Sequence, residues 1–304
     1  LSKIAIVTDS TADLNAEMIQ HHNITVVPLN VHFDEEVYKD GVDLTPDEFF
    51  VKLEGSPVPP RTSQPSPGDF HQVYNTLLSQ GYTGIISIHI SKELSGTWQS
   101  ACIARDMLPQ ADIQIVDSKS ASLGVGLIVL NTAKLIQKGA SLDEAANYAR
   151  RLVHSQKVMF GVATLEYLHR NGRIGRAAKL MGELLNVKPI LHIDEDGFVA
   201  ALGKIRGKNK FVPYLMEQAE KYLAGYDRPV DAAVAHAQDP ELAAQLADNI
   251  RSRLNVRNLY ISELGTVICT HTGPGTVGMI IQKFDLPMPG NLSKIAAKGG
   301  LENE

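Results

Sequence analysis

The 304 residues, 44% of them hydrophobic and 21% charged, suffice for two domains with a substantial core and have a globular rather than a disordered balance. A net charge of −5 argues against a nucleic-acid partner, and no apolar run reaches membrane-spanning length, which leaves at most transient membrane contact. The two cysteines, Cys102 and Cys269, stand far apart in apolar settings, so neither a disulfide framework nor a zinc site is expected. That usage, with no signal peptide before the first strand, leads to the expectation of a cytoplasmic protein.

Residues 4–7 read as a short buried strand. Thr8-Asp-Ser-Thr-Ala-Asp13 follows at its C-terminal end, where open α/β sheets hold ligands. Asp9 and Ser10 either serve a ligand there or cap a helix starting near Leu14. Residues 24–33 read as one second strand and Asp34-Glu-Glu36 as a polar turn. Thr45-Pro-Asp-Glu48 is a capping box with proline at the first helical position, so a helix runs through Phe49, Phe50 and Leu53. Five prolines in residues 57–67 forbid helix and central strand and give a stiff extended loop. Stiffness fixes the Thr62 and Ser63 hydroxyls at low entropic cost, so this loop reads as ligand-facing rather than as a plain linker. Ser66 caps a further helix, with Pro67 first, running to about Leu78.

The apolar run 85–90 reads as a buried strand, followed by a short polar loop. Ser95-Gly96-Thr97 then opens a helix through Ala101, Ala104 and Met107. Hydroxyls and a glycine at such a turn leave backbone N–H groups free at the positive end of the helix dipole, a place suited to an anion. The bland alternative is that Ser95 only caps its helix. Residues 113–116 read as a strand, 123–135 as a buried helix, and Ser141-Leu-Asp-Glu144 as a second capping box that starts a helix to about Val153. Alternating strands and helices imply a mostly parallel sheet flanked by helices.

Near Ser155 the pattern resets, which divides the chain into domains 1–155 and 156–286 and a tail, 287–304. Strand 158–163 and a short helix 165–169 lead to Arg170-Asn-Gly-Arg173-Ile-Gly-Arg176 and a helix through Leu180 and Leu184. Residues 187–193 and 198–203 form a hairpin across Asp194-Glu-Asp-Gly197. Helix 210–223, strand 230–236, helix 240–254 and strand 258–264 complete an α/β domain with a mixed sheet. Gly273, Gly275 and Gly278 spell a G-x-G-x-x-G. Only a short strand and a proline-rich end follow, so the dinucleotide reading is rejected. The stretch reads instead as a loop approaching a ligand, with His271 at its mouth.

The polar candidates are thus Thr62, Ser63, Ser95, Gly96, Thr97, His271 and the arginines 170, 173 and 176. A Ser/His-dependent hydrolase of acyl esters is one reading, but Glu93 stands where a nucleophile elbow has glycine. The ten histidines are scattered and suggest no metal. The other reading is a carboxylate or phosphate clamp of hydroxyls, backbone N–H groups and one imidazole.

Thr8-Asp-Ser-Thr-Ala-Asp-Leu14, Thr62-Ser-Gln-Pro-Ser66, Leu94-Ser-Gly-Thr-Trp-Gln-Ser-Ala101, Val116-Asp-Ser118, Gly172-Arg-Ile174 and His271-Thr-Gly-Pro-Gly275 occur in this order. The set resembles the DegV family of bacterial fatty-acid-binding proteins, over residues 3 to about 286. The resemblance implies a long-chain fatty acid such as palmitate buried between two domains. It makes Thr62 and Ser95 the carboxylate-binding hydroxyls, with His271 nearby. Trp98 stands where the family often has Tyr. The resemblance also implies no cofactor beyond the lipid, a non-catalytic carrier role in lipid metabolism or transport, and a partner. That partner is an ATP-dependent fatty-acid kinase subunit that converts the carboxylate to an acyl phosphate. Arg170, Arg173, Arg176, Lys179, Lys204 and Arg206 are the candidates to face it.

Overall fold

A computed structural model describes residues 3–182 and 187–284. The chain begins with β1 (Ile4–Asp9), α1 (Ala16–His22) and β2 (Ile24–Val27), the two strands pairing in parallel. Pro28 then ends the ladder, because proline has no N–H to donate. The strand expected over 24–33 is therefore two strands in two sheets, and β3 (Asn30–Phe33) leaves to pair with β4 (Glu36–Lys39). Helix α2 (Pro46–Gly55) carries the expected capping box. Within the proline-rich stretch, β5 (Arg61–Ser63) adds to the free edge of β3 with Thr62 opposite Val31. Proline excludes a central strand but permits this short edge one. The resulting antiparallel sheet, ordered β4-β3-β5, was not foreseen.

Helix α3 (Pro67–Ser79), capped by Ser66, precedes β6 (Gly84–His89), α4 (Thr97–Asp106) and β7 (Ile113–Asp117). The parallel sheet has the order β2-β1-β6-β7. Strand side chains alternate between its faces. Val7 and Ile85 pack with Phe70, Tyr74 and Ala101 of α3 and α4. Ile6, Ile86 and Ile88 pack instead against the buried helix α5 (Leu123–Gln137) and the capped helix α6 (Leu142–Val153).

The expected mixed sheet is formed as well. Its elements are β8 (Gln156–Gly161), α7 (Glu166–Arg170), a 3-10 turn at Gly175–Leu180, β9 (Lys188–Ile193) and β10 (Val199–Ile205). Then come α8 (Phe211–Leu223), β11 (Val230–His236), α9 (Pro240–Arg253), β12 (Val256–Glu263), α10 (Thr266–Thr272) and β13 (Val277–Gln282). The order is β10-β9-β8-β13-β11-β12, antiparallel except between β11 and β12. Helices α8 and α9 cover one face. The other face meets α5 and the small sheet: Phe160, Leu191, Ala235 and Ile280 share a cluster with Leu123, Leu127, Leu29 and Val31.

Two further expectations need correction. The stretch read as a loop around His271 is the helix α10. The helix expected after Gly175 is a 3-10 turn that ends at Leu180, and Leu184 lies outside the described residues, as do 285–304 with the expected tail. Among the described residues no helix is long and apolar enough to cross a membrane.

Candidate functional site

A cavity opens inside the cluster that joins the mixed sheet, the small sheet and α5. Leu29, Ile90, Val158, Phe160, Ala235 and Ile280 are among its apolar walls, and these residues are buried. Its non-atom space is about 900 Å³, open solvent at the mouth included. The polar lining includes Thr62, Ser95, Arg173 and His271, which are partly exposed, Gln64, which is exposed, and the buried Ser122, Thr272 and Thr276. Most of the lining is apolar.

Thr62 comes from β5, Ser95 from the turn before α4 and His271 from the last turn of α10. Thr62 Oγ1 and His271 Nε2 are hydrogen-bonded at 2.8 Å. Burial, and secondly the positive charge of Arg173, lower the His271 pKa to about 3, so the ring is neutral. Its Nδ1 is buried without a partner. The N-cap position of α4 belongs to Gly96, with no side-chain cap bond, but Ser95 Oγ accepts from the first helical N–H, that of Thr97, at 3.4 Å. Ser95 Oγ lies 2.9 Å from Thr97 Oγ1, which leaves the serine oxygen on the cavity lining. Gly96 has a packing reason: a Cβ there would stand 3.0 Å from Gln64 Nε2.

Ser63, expected beside Thr62, faces away. Alternation along β5 turns it to His32 Nε2, at 2.9 Å, and off the cavity lining. Gly96 and Thr97 likewise stand behind Ser95, Thr97 fully buried. Asp9 and Ser10 serve the fold. Asp9 accepts from Thr11 N and Ile90 N, Ser10 Oγ accepts from Leu29 N, and α1 is capped by Asn15.

The arginines divide. Arg173, expected on a partner face, lines the cavity and donates to Leu94 O at 3.1 Å and Asn171 O at 2.7 Å. Arg170 pairs with Glu166, and Arg176 bridges Asp194 and Asp196 at 2.7 and 2.8 Å, so neither is a bare cation. Arg206 is exposed and forms no ion pair among the described residues. Sequence reasoning missed Gln64, although it sits in the quoted Thr-Ser-Gln, and assigned Arg173 elsewhere.

Ser95 and His271 make no hydrogen bond to each other, so the dyad a hydrolase needs is not formed there. A Ser–His–Asp chain does exist elsewhere: Ser87 Oγ to His89 Nε2 at 2.6 Å and His89 Nδ1 to Asp9 Oδ2 at 2.9 Å. All three side chains are completely buried, with Tyr74 donating to Ser87, and no substrate reaches them. Among the described residues no three His, Cys, Asp or Glu side chains gather as metal ligands.

The family model described as "Uncharacterised protein, DegV family" matches residues 3–283. The chain belongs to the DegV family. A DegV domain-containing protein of Streptomyces coelicolor is 37% identical over 279 residues, covering 91% of this chain and 98% of the relative. Solved structures agree. The one described as fatty acid binding of a DegV family protein from Thermus thermophilus is 39% identical, with a TM-score of 0.88, covering 93% of this chain and all of that one. DegV from Bacillus subtilis, described as a fatty acid binding protein, is 33% identical with a TM-score of 0.84 and the same coverage. A stearic acid-binding protein from Eubacterium ventriosum is 30% identical, with a TM-score of 0.85, covering 93% of this chain and 98% of that one. DegV-family structures therefore bind fatty acids, and the α/β architecture with one parallel and one mixed sheet is theirs.

Proposed function

We propose that this DegV-family chain holds one long-chain fatty acid, such as palmitate, with its tail in the apolar cavity and its carboxylate at Thr62, Ser95 and His271. One observation carries the reading: these three residues, remote in sequence, line a single cavity whose other walls are mostly apolar. A neutral imidazole protonated at Nε2 donates to Thr62 Oγ1 and leaves the Thr62 hydroxyl proton for the ligand. That tautomer also explains why buried Nδ1 needs no acceptor. Arg173 supplies the positive charge that a half-buried carboxylate requires.

Burying ~14 methylenes at ~0.8 kcal/mol each contributes roughly 11 kcal/mol gross. Each charge-assisted hydrogen bond to the head adds about 1.5–3 kcal/mol. The tail dominates affinity and the head fixes orientation. A carboxylate held at a partly exposed rim is open to a second protein. In this reading the chain is a cytoplasmic, non-catalytic carrier. A separate ATP-dependent fatty-acid kinase subunit docks near Arg206 and the rim. The carboxylate oxygen then takes the γ-phosphoryl group of ATP and ADP leaves.

Calorimetric titration of the delipidated protein with palmitate tests the binding half, with one-to-one saturation expected. Incubation of the loaded protein with ATP and a purified fatty-acid kinase subunit tests the other half. Hydroxylamine is expected to trap an acyl phosphate only when both proteins are present. No heat of binding refutes the carrier. Binding without trapped product, using a kinase subunit active on its own cognate carrier, refutes the presentation step alone.

A further inference from the structure

Helix α10 forms part of the cavity wall through Val267, Ile268, His271 and Thr272. It is attached to the N-terminal half of the chain at both ends. Its last turn reaches Thr62 through His271. At its start, Asp13 Oδ1 accepts from Gly265 N at 3.0 Å. Asp40 Oδ1 accepts from Thr266 N at 2.9 Å and from Thr266 Oγ1 at 2.6 Å. Both aspartates are buried, at 7% and 3% exposure, and their Oδ2 atoms have no partner. Among the described residues no ion pair neutralises them. Their Oδ1 atoms both accept at the start of one short helix, and the hydroxyls of Ser122 and Ser10 stand beside the two carboxyls.

We infer that Asp13 and Asp40 are positioning residues, a clamp that sets α10 so that its far end delivers His271 to Thr62. The inference rests on the fatty-acid reading of that site and adds the part that holds it in register. The sequence of α10 needs such a clamp. Thr266-Val-Ile-Cys-Thr-His-Thr272 contains five β-branched residues, which are poor helix formers, and has no side-chain cap from its own N-cap Gly265. Gly265 suits the site because a Cβ there would stand 2.7 Å from Asp13 Oδ1. Burial pushes both carboxyls above the ordinary aspartate range, and the charge of Asp40 adds to the effect on Asp13. A neutral, protonated Asp40 keeps the oxygen that accepts from Thr266, and so does an asparagine.

The test compares Asp40→Ala and Asp40→Asn with the intact protein by NMR of the histidine rings, in lipid-free samples, followed by palmitate titration. Asp40→Ala should move the His271 ring resonances toward those of Thr62→Ala and weaken palmitate binding about tenfold, the factor expected for one lost hydrogen bond at the head. Asp40→Asn should restore both. Thr266→Val, which removes one of the three bonds, should shift His271 in the same direction by less, and it decides the matter if Asp40→Ala does not fold. Unchanged His271 resonances in folded Asp40→Ala or Thr266→Val, or an Asp40→Asn as impaired as the alanine, overturn the inference. A parent protein that binds no palmitate refutes the function proposed above, while the lipid-free ring resonances still decide the clamp.

Discussion

A neutral imidazole at His271 has consequences that can be measured. The ordinary histidine pKa is 6.5 and burial lowers this one to about 3. Between those values the unfolded chain binds a proton that the folded chain refuses, so this residue makes stability rise with pH across that window and contributes no further slope above it. Asp13 and Asp40 work in the opposite sense: their raised values let the folded state hold protons the unfolded state has released, so their contribution falls as pH rises above 3.8. Urea melts at pH 4.5 and 6.5 should show a smaller acid-induced loss in His271→Asn than in the parent, and the His271 ring should not titrate between pH 8 and 5 by NMR. At the carboxylate, Thr62→Ala and Ser95→Ala should each weaken palmitate binding about ten- to hundredfold, from about 1.5–3 kcal/mol per bond. Both should leave the melting temperature nearly unchanged. The place of Thr62 on the cavity lining followed from a hydroxyl wedged between prolines, whereas Ser95 by itself read equally as a helix cap and only the family resemblance pointed it at a ligand. Arg173 was not legible, since its place is set by Leu94 O, 79 positions away.

Single elements decide which residues of a motif face the ligand. Thr62 and Ser63 are neighbours, yet β5 sends one to the cavity and the other to His32. Loop reasoning lacked that alternation because the four residues between Pro60 and Pro65 are too few to show a periodicity. Helix α10 was misread for a related reason: its β-branched run has low helix propensity, and tertiary contacts supply what the local sequence does not. The capping boxes at Thr45 and Ser141 were readable because each is complete within four residues. Ser141→Ala should therefore cost about 1 kcal/mol of stability without touching lipid binding. Gly273 ends α10 at φ 74° and ψ 176°, and a Cβ would stand 2.4 Å from the Tyr167 ring. Gly273→Ala should cost about 1–3 kcal/mol in a chemical melt and weaken palmitate binding as well, because the strain falls beside His271.

At the scale of the molecule, the parallel sheet uses residues 4–117 and the mixed sheet residues 156–282, as the alternating and hairpin patterns implied. The space between them was invisible beforehand, since Phe160, Ala235 and Ile280 look like any core residues until the walls fail to meet. Ala235→Leu should fill part of that space and shift preference to shorter acyl chains, read by competition between fatty acids of increasing length. The most direct measurement is native mass spectrometry of the delipidated protein after incubation with palmitate. The account predicts one palmitate per chain in the parent protein and loss of that adduct in folded Thr62→Ala/Ser95→Ala. A parent protein that stays empty, or a double variant that retains full occupancy, contradicts it.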